Sequence, residues 1–269
     1  MEQNNLTKLH TIMLEIMDRF VHICEENNLT YFLTGGTLLG AVRHKGFIPW
    51  DDDVDIAMPR KDFEKFLDIV PVNKEADYYA LSHRCPVNTF YHYIPFAKFC
   101  KKGSTFAESH IRESENHSGI WIDIWPIDNC VLPLASLQDK IISFAWKVYR
   151  YKTYEDIPKN KIKYIISKFL CFIFTLKSSK AFLKYSYSIF NNFNTKYICA
   201  FSGIYGIKKE RKKTDTIFPL TKLSFENKDY SAPGNWDAFL TRHYGDYMKL
   251  PPVEQRRTHE PKFIIFGDE

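Results

Sequence analysis

The chain has 269 residues, 45% of them hydrophobic and 26% charged, which is enough to bury a sizeable core and lies near the upper size for a single domain. A formal net charge of +5 is too modest to imply a nucleic-acid partner, and no recognition motif for nucleic acid appears. The six cysteines, Cys24, Cys85, Cys100, Cys130, Cys171 and Cys199, are scattered without paired spacing, so reduced, mostly buried thiols are expected rather than disulfides or zinc ligands.

Leu6, Leu9, Met13, Ile16, Phe20 and Ile23 recur at helical spacing, interrupted by Glu15, Asp18 and Arg19, and predict an amphipathic helix laid on the core. No apolar run reaches membrane-spanning length and the N-terminus does not read as a signal peptide, so a cytoplasmic chain is expected. Tyr31-Phe32-Leu33-Thr34 reads as a short strand running into Gly35-Gly36-Thr37 and then a helix through Leu38-Leu39-Gly40-Ala41-Val42. A strand, a glycine turn and a helix start leave backbone N–H groups and a positive dipole end free for phosphate. The plainer alternative is a turn and nothing more. Arg43, His44 and Lys45 close this helix; they either reach phosphate oxygens, Arg43 foremost through its planar fork, or simply complement the helix dipole in solvent.

The run Trp50-Asp51-Asp52-Asp53-Val54-Asp55-Ile56-Ala57-Met58 places four carboxylates in a segment that also reads as a buried strand. Like charges this close repel, and each is costly to desolvate without a cation or a proton. In an extended strand Asp53 and Asp55 share one face while Val54 and Ile56 pack on the other, a pair of oxygen donors suited to hard Mg²⁺ or Mn²⁺. A solvated acidic turn after Pro49 is the competing reading. Pro59 then opens a helix with apolar face Phe63, Phe66, Leu67 and Val70, ended by Pro71. Further strands are expected at Tyr78 to Ser82, Tyr93 to Phe99 and Ile120 to Ile124. In the last, Asp123 sits between two isoleucines, where its charge needs either an Arg or Lys from a neighbouring strand or a metal.

From Lys140 to Lys184 the cations Lys140, Lys147, Arg150, Lys152, Lys159, Lys161, Lys163, Lys168, Lys177, Lys180 and Lys184 face only Glu155 and Asp156. The interleaved apolar stretch from Tyr164 to Leu176 is too short to span a bilayer; it suits either an anionic membrane surface or a core helix with a solvated lysine face.

The stretch from Gly35 through Gly46-Phe47-Ile48-Pro49-Trp50-Asp51-Asp52-Asp53-Val54-Asp55 resembles the signature of the LicD family, whose relatives include the fukutin-type transferases. The resemblance continues at Gly119 to Asp128, at His243-Tyr244-Gly245-Asp246-Tyr247-Met248-Lys249-Leu250-Pro251-Pro252 and at His259. It implies an α/β (α+β) fold: a nucleotidyltransferase-like mixed sheet with flanking helices and a basic helical insertion. The chain is then one catalytic domain, with a core over 1–135, the insertion over 136–215 and a C-terminal part over 216–269 that completes the active site. The implied reaction is transfer of phosphocholine, or another phospho-alcohol, from CDP-choline or a related CDP-alcohol to a lipid-linked glycan precursor of lipopolysaccharide or teichoic-acid type.

In that reading Asp53, Asp55 and Asp123 hold Mg²⁺, and Asp51 or Asp52 is a second-metal ligand or the general base. Gly35, Gly36, Thr37, Arg43 and Lys45 contact the diphosphate, and His259 joins the site. A choline ammonium needs aromatic faces, for which Trp50, Trp121, Trp125, Tyr244 and Tyr247 are the candidates inside the matching stretches. A nucleotidyltransferase that releases pyrophosphate and a catalytically silent glycan- or partner-binding scaffold are the rival readings.

Overall fold

The computed structural model describes residues 3–86, 91, 94–108, 118–153, 160–201, 203, 205–256, 258 and 261–267. Helix α1 (Gln3–Glu26) leads to β1 (Phe32–Leu33), α2 (Gly35–Arg43), β2 (Asp55–Pro59), α3 (Arg60–Ile69), β3 (Tyr78–Leu81), β4 (Ala97–Lys101), β5 (Thr105–Ala107) and β6 (Trp121–Cys130). Three helices follow, α4 (Ala135–Thr153), α5 (Lys161–Ile173) and α6 (Leu176–Asn191). The chain ends through β7 (Tyr197–Cys199), α7 (Ile207–Glu210), β8 (Arg211–Lys213), α8 (Thr214–Ile217), β9 (Thr221–Phe225), β10 (Lys228–Ala232), α9 (Trp236–Tyr244) and β11 (Phe263–Ile265). This is the mixed sheet with flanking helices that the sequence predicts.

The main sheet runs β1-β2-β6-β4-β3, with β7 added beside β6 and β8 beside β7. β2 and β6 are parallel; the β1–β2, β6–β4 and β4–β3 pairings are antiparallel. The apolar stripe of α1 is buried as its spacing predicts, with Leu9, Met13, Ile16 and Phe20 in the principal core, and the helix packs against β4 and β6. Phe63, Phe66 and Leu67 of α3, with Val70 just beyond it, are buried too.

Four expectations need correction. Helix α2 begins at Gly35 itself, with Thr34 in the cap position, so the glycines are the first helical turn and not a turn before it. The strand expected from Tyr93 is β4, which starts at Ala97; Tyr93 lies outside the described residues. The strand expected to stop at Ile124 continues to Cys130. Pro126, which reads as a strand breaker, lies beyond Ile124, the last β6 residue paired with β4, where one side of the strand has no ladder to interrupt. Finally, the stretch 136–215 is not helical throughout: it returns to the sheet as β7 and β8. Its helices α4 and α6 enclose a smaller core of Ile142, Ala145, Tyr149, Leu183 and Tyr187. All six cysteines are free thiols, five of them buried. No described helix is long and apolar enough to cross a membrane.

Candidate active site

The strand order brings one row of charge to one place. The parallel register pairs Asp55 on β2 with Asp123 on β6, and the antiparallel register pairs Asp123 with Lys98 on β4. In-register neighbours point to the same face of a sheet. Asp55, Asp123 and Lys98 therefore stand side by side and open into a cavity of about 940 Å³, bounded by α2, the segment before β2, β6, β7 and the C-terminal segment from α9 onward.

Asp51, Asp53 and Asp55 all line this cavity, whereas Asp52 and Val54 are buried on the other side. The alternation predicted for Asp53 and Asp55 thus reaches back to Asp51, and it separates the two aspartates that the sequence could not. Asp52 faces away from the cavity, near His10 of α1. The His10 ring lies flat on Phe47 at 3.7 Å, and its Nε2 is 2.8 Å from the Asp51 carbonyl.

Asp55 is fixed at three points. Its backbone N–H donates to Thr37 Oγ1 at 2.8 Å, and the Trp125 indole N–H donates to its Oδ1 at 2.7 Å. Its Oδ2 fills the space where a side chain at Gly35 would begin. Gly35 also has φ +53°, a conformation that favours glycine. A Cβ on Gly36 would stand 2.6 Å from Asp51 Oδ2. The two glycines at the start of α2 therefore make room for carboxylates. The anionic groups the chain itself places beside this helix start are Asp55 and Asp51. Thr37 corrects in the same sense: its hydroxyl clasps β2 and it lies outside the cavity lining. Lys45 is also outside the cavity and exposed. It makes a left-handed turn at φ +60°, and its carbonyl accepts from the Glu226 N–H at 2.9 Å.

The charge of Asp123 is met from a neighbouring strand, one of the two arrangements its apolar setting demands. The buried Lys98 ammonium is 3.6 Å from Asp123 Oδ1, 3.3 Å from Glu108 Oε1 and 3.4 Å above the Trp121 ring. The carboxylates suit a hard divalent cation by type, since all are oxygen donors facing one cavity. As they are placed, no three His, Cys, Asp or Glu side chains among the described residues converge into a metal cage.

On the α2 side, Arg43 lines the cavity, but its guanidinium is engaged: Nη1 donates to the Tyr247 carbonyl and Nε to His44 Nε2, both at 2.9 Å. Tyr247 lines the wall with its hydroxyl donating to Asp237 Oδ1 at 2.5 Å. Of the candidate aromatic faces, Trp50 carries the Arg256 guanidinium at 4.3 Å, Trp121 carries Lys98, and Trp125 stacks on Phe96 at 4.3 Å. His259 lies outside the described residues.

A second group on the same cavity escaped the sequence reading. Lys212 of β8 and His243 of α9 are both buried, with Lys212 Nζ 3.5 Å from His243 Nδ1, while Lys212 also donates to the Lys209 carbonyl. Burial, reinforced by Lys212 and Lys209, pushes His243 down to about 4, and burial pushes Lys212 down to about 8. His243 is thus neutral at pH 7. An ammonium can only donate, so Nδ1 accepts and the ring proton sits on Nε2. That atom is buried and finds no hydrogen-bond partner among the described residues. Lys98 carried the same sequence signal as Asp123, a lone charge between apolar strand positions; Lys212 is one of five cations in Lys208-Lys209-Glu210-Arg211-Lys212-Lys213, and nothing in that run marks which one turns inward.

Against this geometry, the family pattern described as LicD/FKTN/FKRP, nucleotidyltransferase domain, matches residues 28–165. The lipopolysaccharide cholinephosphotransferase LicD of Haemophilus influenzae is 26% identical over 266 residues, covering 96% of this chain and 97% of that protein. An uncharacterized protein of Rickettsia typhi is 41% identical over 66 residues, 24% of this chain and 21% of that protein. The ribitol 5-phosphate transferase FKRP of Homo sapiens is 48% identical over 42 residues, 16% of this chain and 8% of that protein.

Proposed function

The chain belongs to the LicD/FKTN/FKRP nucleotidyltransferase-domain family, and from that premise we propose that it is a phosphotransferase moving phosphocholine from CDP-choline to a sugar hydroxyl of a lipid-linked, cell-surface glycan precursor. The observation that carries this reading is the correspondence with a cholinephosphotransferase along almost the whole of both chains, combined with Asp51, Asp53, Asp55 and Asp123 lining one cavity. The short match to a ribitol 5-phosphate transferase makes CDP-ribitol the alternative donor to try.

Asp53, Asp55 and Asp123 would hold Mg²⁺ or Mn²⁺. When bound, the ion supplies neutralising charge on the donor diphosphate and on the departing CMP. Trp125 keeps the Asp55 carboxylate from swinging, which fixes where the donor diphosphate can sit. Lys98 and Lys212 add fixed positive charge on the cavity wall. Asp51 is the cavity-facing carboxylate left to accept the proton of the acceptor hydroxyl as its oxygen bonds to phosphorus and the bond to CMP breaks. Asp52, turned into the core, takes no part.

The test is incubation with CDP-choline labelled in the choline, a divalent cation and a glycan acceptor. Release of CMP with label on the glycan, lost by several orders of magnitude in folded Asp55→Asn, is the expected result. Pyrophosphate release from a nucleoside triphosphate would make the chain a true nucleotidyltransferase. Inertness with every CDP-alcohol and triphosphate would leave the scaffold reading.

A further inference from the structure

Helix α5 is amphipathic with the wrong side out. Phe172 is 88% exposed, Ile162 69%, Ile165 65% and Phe169 61%, and Ile166 and Ile173 are exposed beside them. The buried positions of the helix are Ser167 and Leu170. At 3.6 residues per turn the six exposed apolar side chains fall within an arc of about 120°. Lys161 and Lys168 flank one border of that arc, and Lys163 lies beyond the other. A core helix with a solvated lysine face would show the reverse. The apolar surface continues past the helix end, where Phe174 stacks on Phe182 at 5.7 Å and Phe182 meets the exposed Phe144 at 6.0 Å.

We propose that α5 lies in the surface of an anionic lipid bilayer, with Ile162, Ile165, Phe169 and Phe172 among the acyl chains and Lys161, Lys163 and Lys168 against the lipid phosphates. Charge decides the occupant. No carboxylate occurs from Ile157 to Lys209, while α5 and α6 together carry six lysines, Lys161, Lys163, Lys168, Lys177, Lys180 and Lys184. An isologous contact with a second copy would set this acid-free basic patch against itself. Lipid offers both things the face needs, an apolar interior and a negative rim. Thirteen residues make a helix of about 20 Å, short of the roughly 30 Å hydrocarbon layer, so the helix lies along the surface and does not cross it.

The full chain should sediment with vesicles containing phosphatidylglycerol, bind pure phosphatidylcholine vesicles less, and be released in part by salt. The pair Phe169→Gln and Phe172→Gln should weaken vesicle binding by about tenfold or more with the melting temperature unchanged, because both side chains lie in solvent. Lys161→Glu with Lys163→Glu and Lys168→Glu should abolish the preference for anionic vesicles. Should the phenylalanine pair fold poorly, Phe172→Trp gives a second reading, with indole emission shifting to the blue on phosphatidylglycerol vesicles. Absence of sedimentation, binding indifferent to the phenylalanine pair, an unshifted emission, or a dimer in ultracentrifugation that the pair converts to monomer would each overturn the proposal, the last by making the face a contact between copies.

Discussion

Gly36 and Asp51 form a contact in which the absence of a side chain is what matters. A methyl group there would meet the carboxylate at 2.6 Å, and Gly36→Ala should therefore displace Asp51, lowering both stability and turnover. Removing the carboxylate removes the clash, so Gly36→Ala combined with Asp51→Ala should be more stable than the sum of the two single changes predicts. Urea unfolding of the four proteins measures that coupling; strict additivity would show that the two residues do not compete for the same space.

His243 leads to a pH prediction. Its proton affinity falls from the ordinary 6.5 to about 4 on folding, so between those values the unfolded chain binds the extra proton. Its contribution is fully present above about 6.5 and is lost as pH falls toward 4, on the order of 3 kcal/mol in all. Glu210, raised by burial, acts with the opposite sign as pH changes. The difference between the native chain and His243→Gln in denaturant unfolding at pH 4.5 and pH 7 isolates the histidine. The native chain should lose more stability on acidification than the variant does.

At the scale of elements, β6 connects the Asp55–Asp123–Lys98 row to the helical layer. Its Asp128 is buried and takes two hydrogen bonds from Arg60 of α3, Nε to Oδ1 at 2.9 Å and Nη2 to Oδ2 at 2.7 Å. Asn191 of α6 adds a third, donating to Oδ1 at 2.6 Å. The Arg60 guanidinium also lies 3.9 Å from the centre of the Tyr187 ring. One carboxylate thus ties strand, α3 and α6 together. Asp128→Ala leaves a buried guanidinium without its partner and should cost about 3–5 kcal/mol in chemical denaturation. Arg60→Met with Asp128→Leu, which removes both charges, should recover much of that loss. The first half of β6 should keep its register with β2, because that register is set by backbone pairing from Asp55–Asp123 to Pro59–Ile127, ahead of Asp128.

Over the whole molecule, the site is closed by parts of the chain that are far apart in sequence, and this decides what could be read in advance. Periodicity of two exposed the cavity face of Asp53 and Asp55, and periodicity of 3.6 exposed the core face of α1, because both are local properties of the chain. The Arg43 to Tyr247 carbonyl bond joins residues 204 positions apart, and no local pattern announces it. The same holds for the inward turn of Lys212 and for the Arg256 guanidinium over Trp50. The continuation of β6 past Ile124 is hidden for the same reason: only the pairing map shows that β4 has already stopped where Pro126 falls. Gly35 and Gly36 were legible as necessary glycines, but whether phosphate or carboxylate fills the adjoining space depends on where β2 returns. The outward face of α5 was legible as apolar and basic, while its exposure belongs to the packing of α4, α5 and α6.

Lys98 gives this acidic centre a resident counterion. Asp123 and Glu108 both lie within ion-pair distance of its ammonium, and Trp121 covers it. The strand pairing that aligns Asp55 with Asp123 is therefore not opposed by bare repulsion, as it would be if the neutralising charge had to arrive from solution. Domains whose acidic or thiolate ligands depend on an external ion for neutrality acquire their shape only once it binds. Here one compensating charge is encoded in the polypeptide itself, so part of the repulsion along the Asp55–Asp123 pairing is offset by a strand of the same sheet.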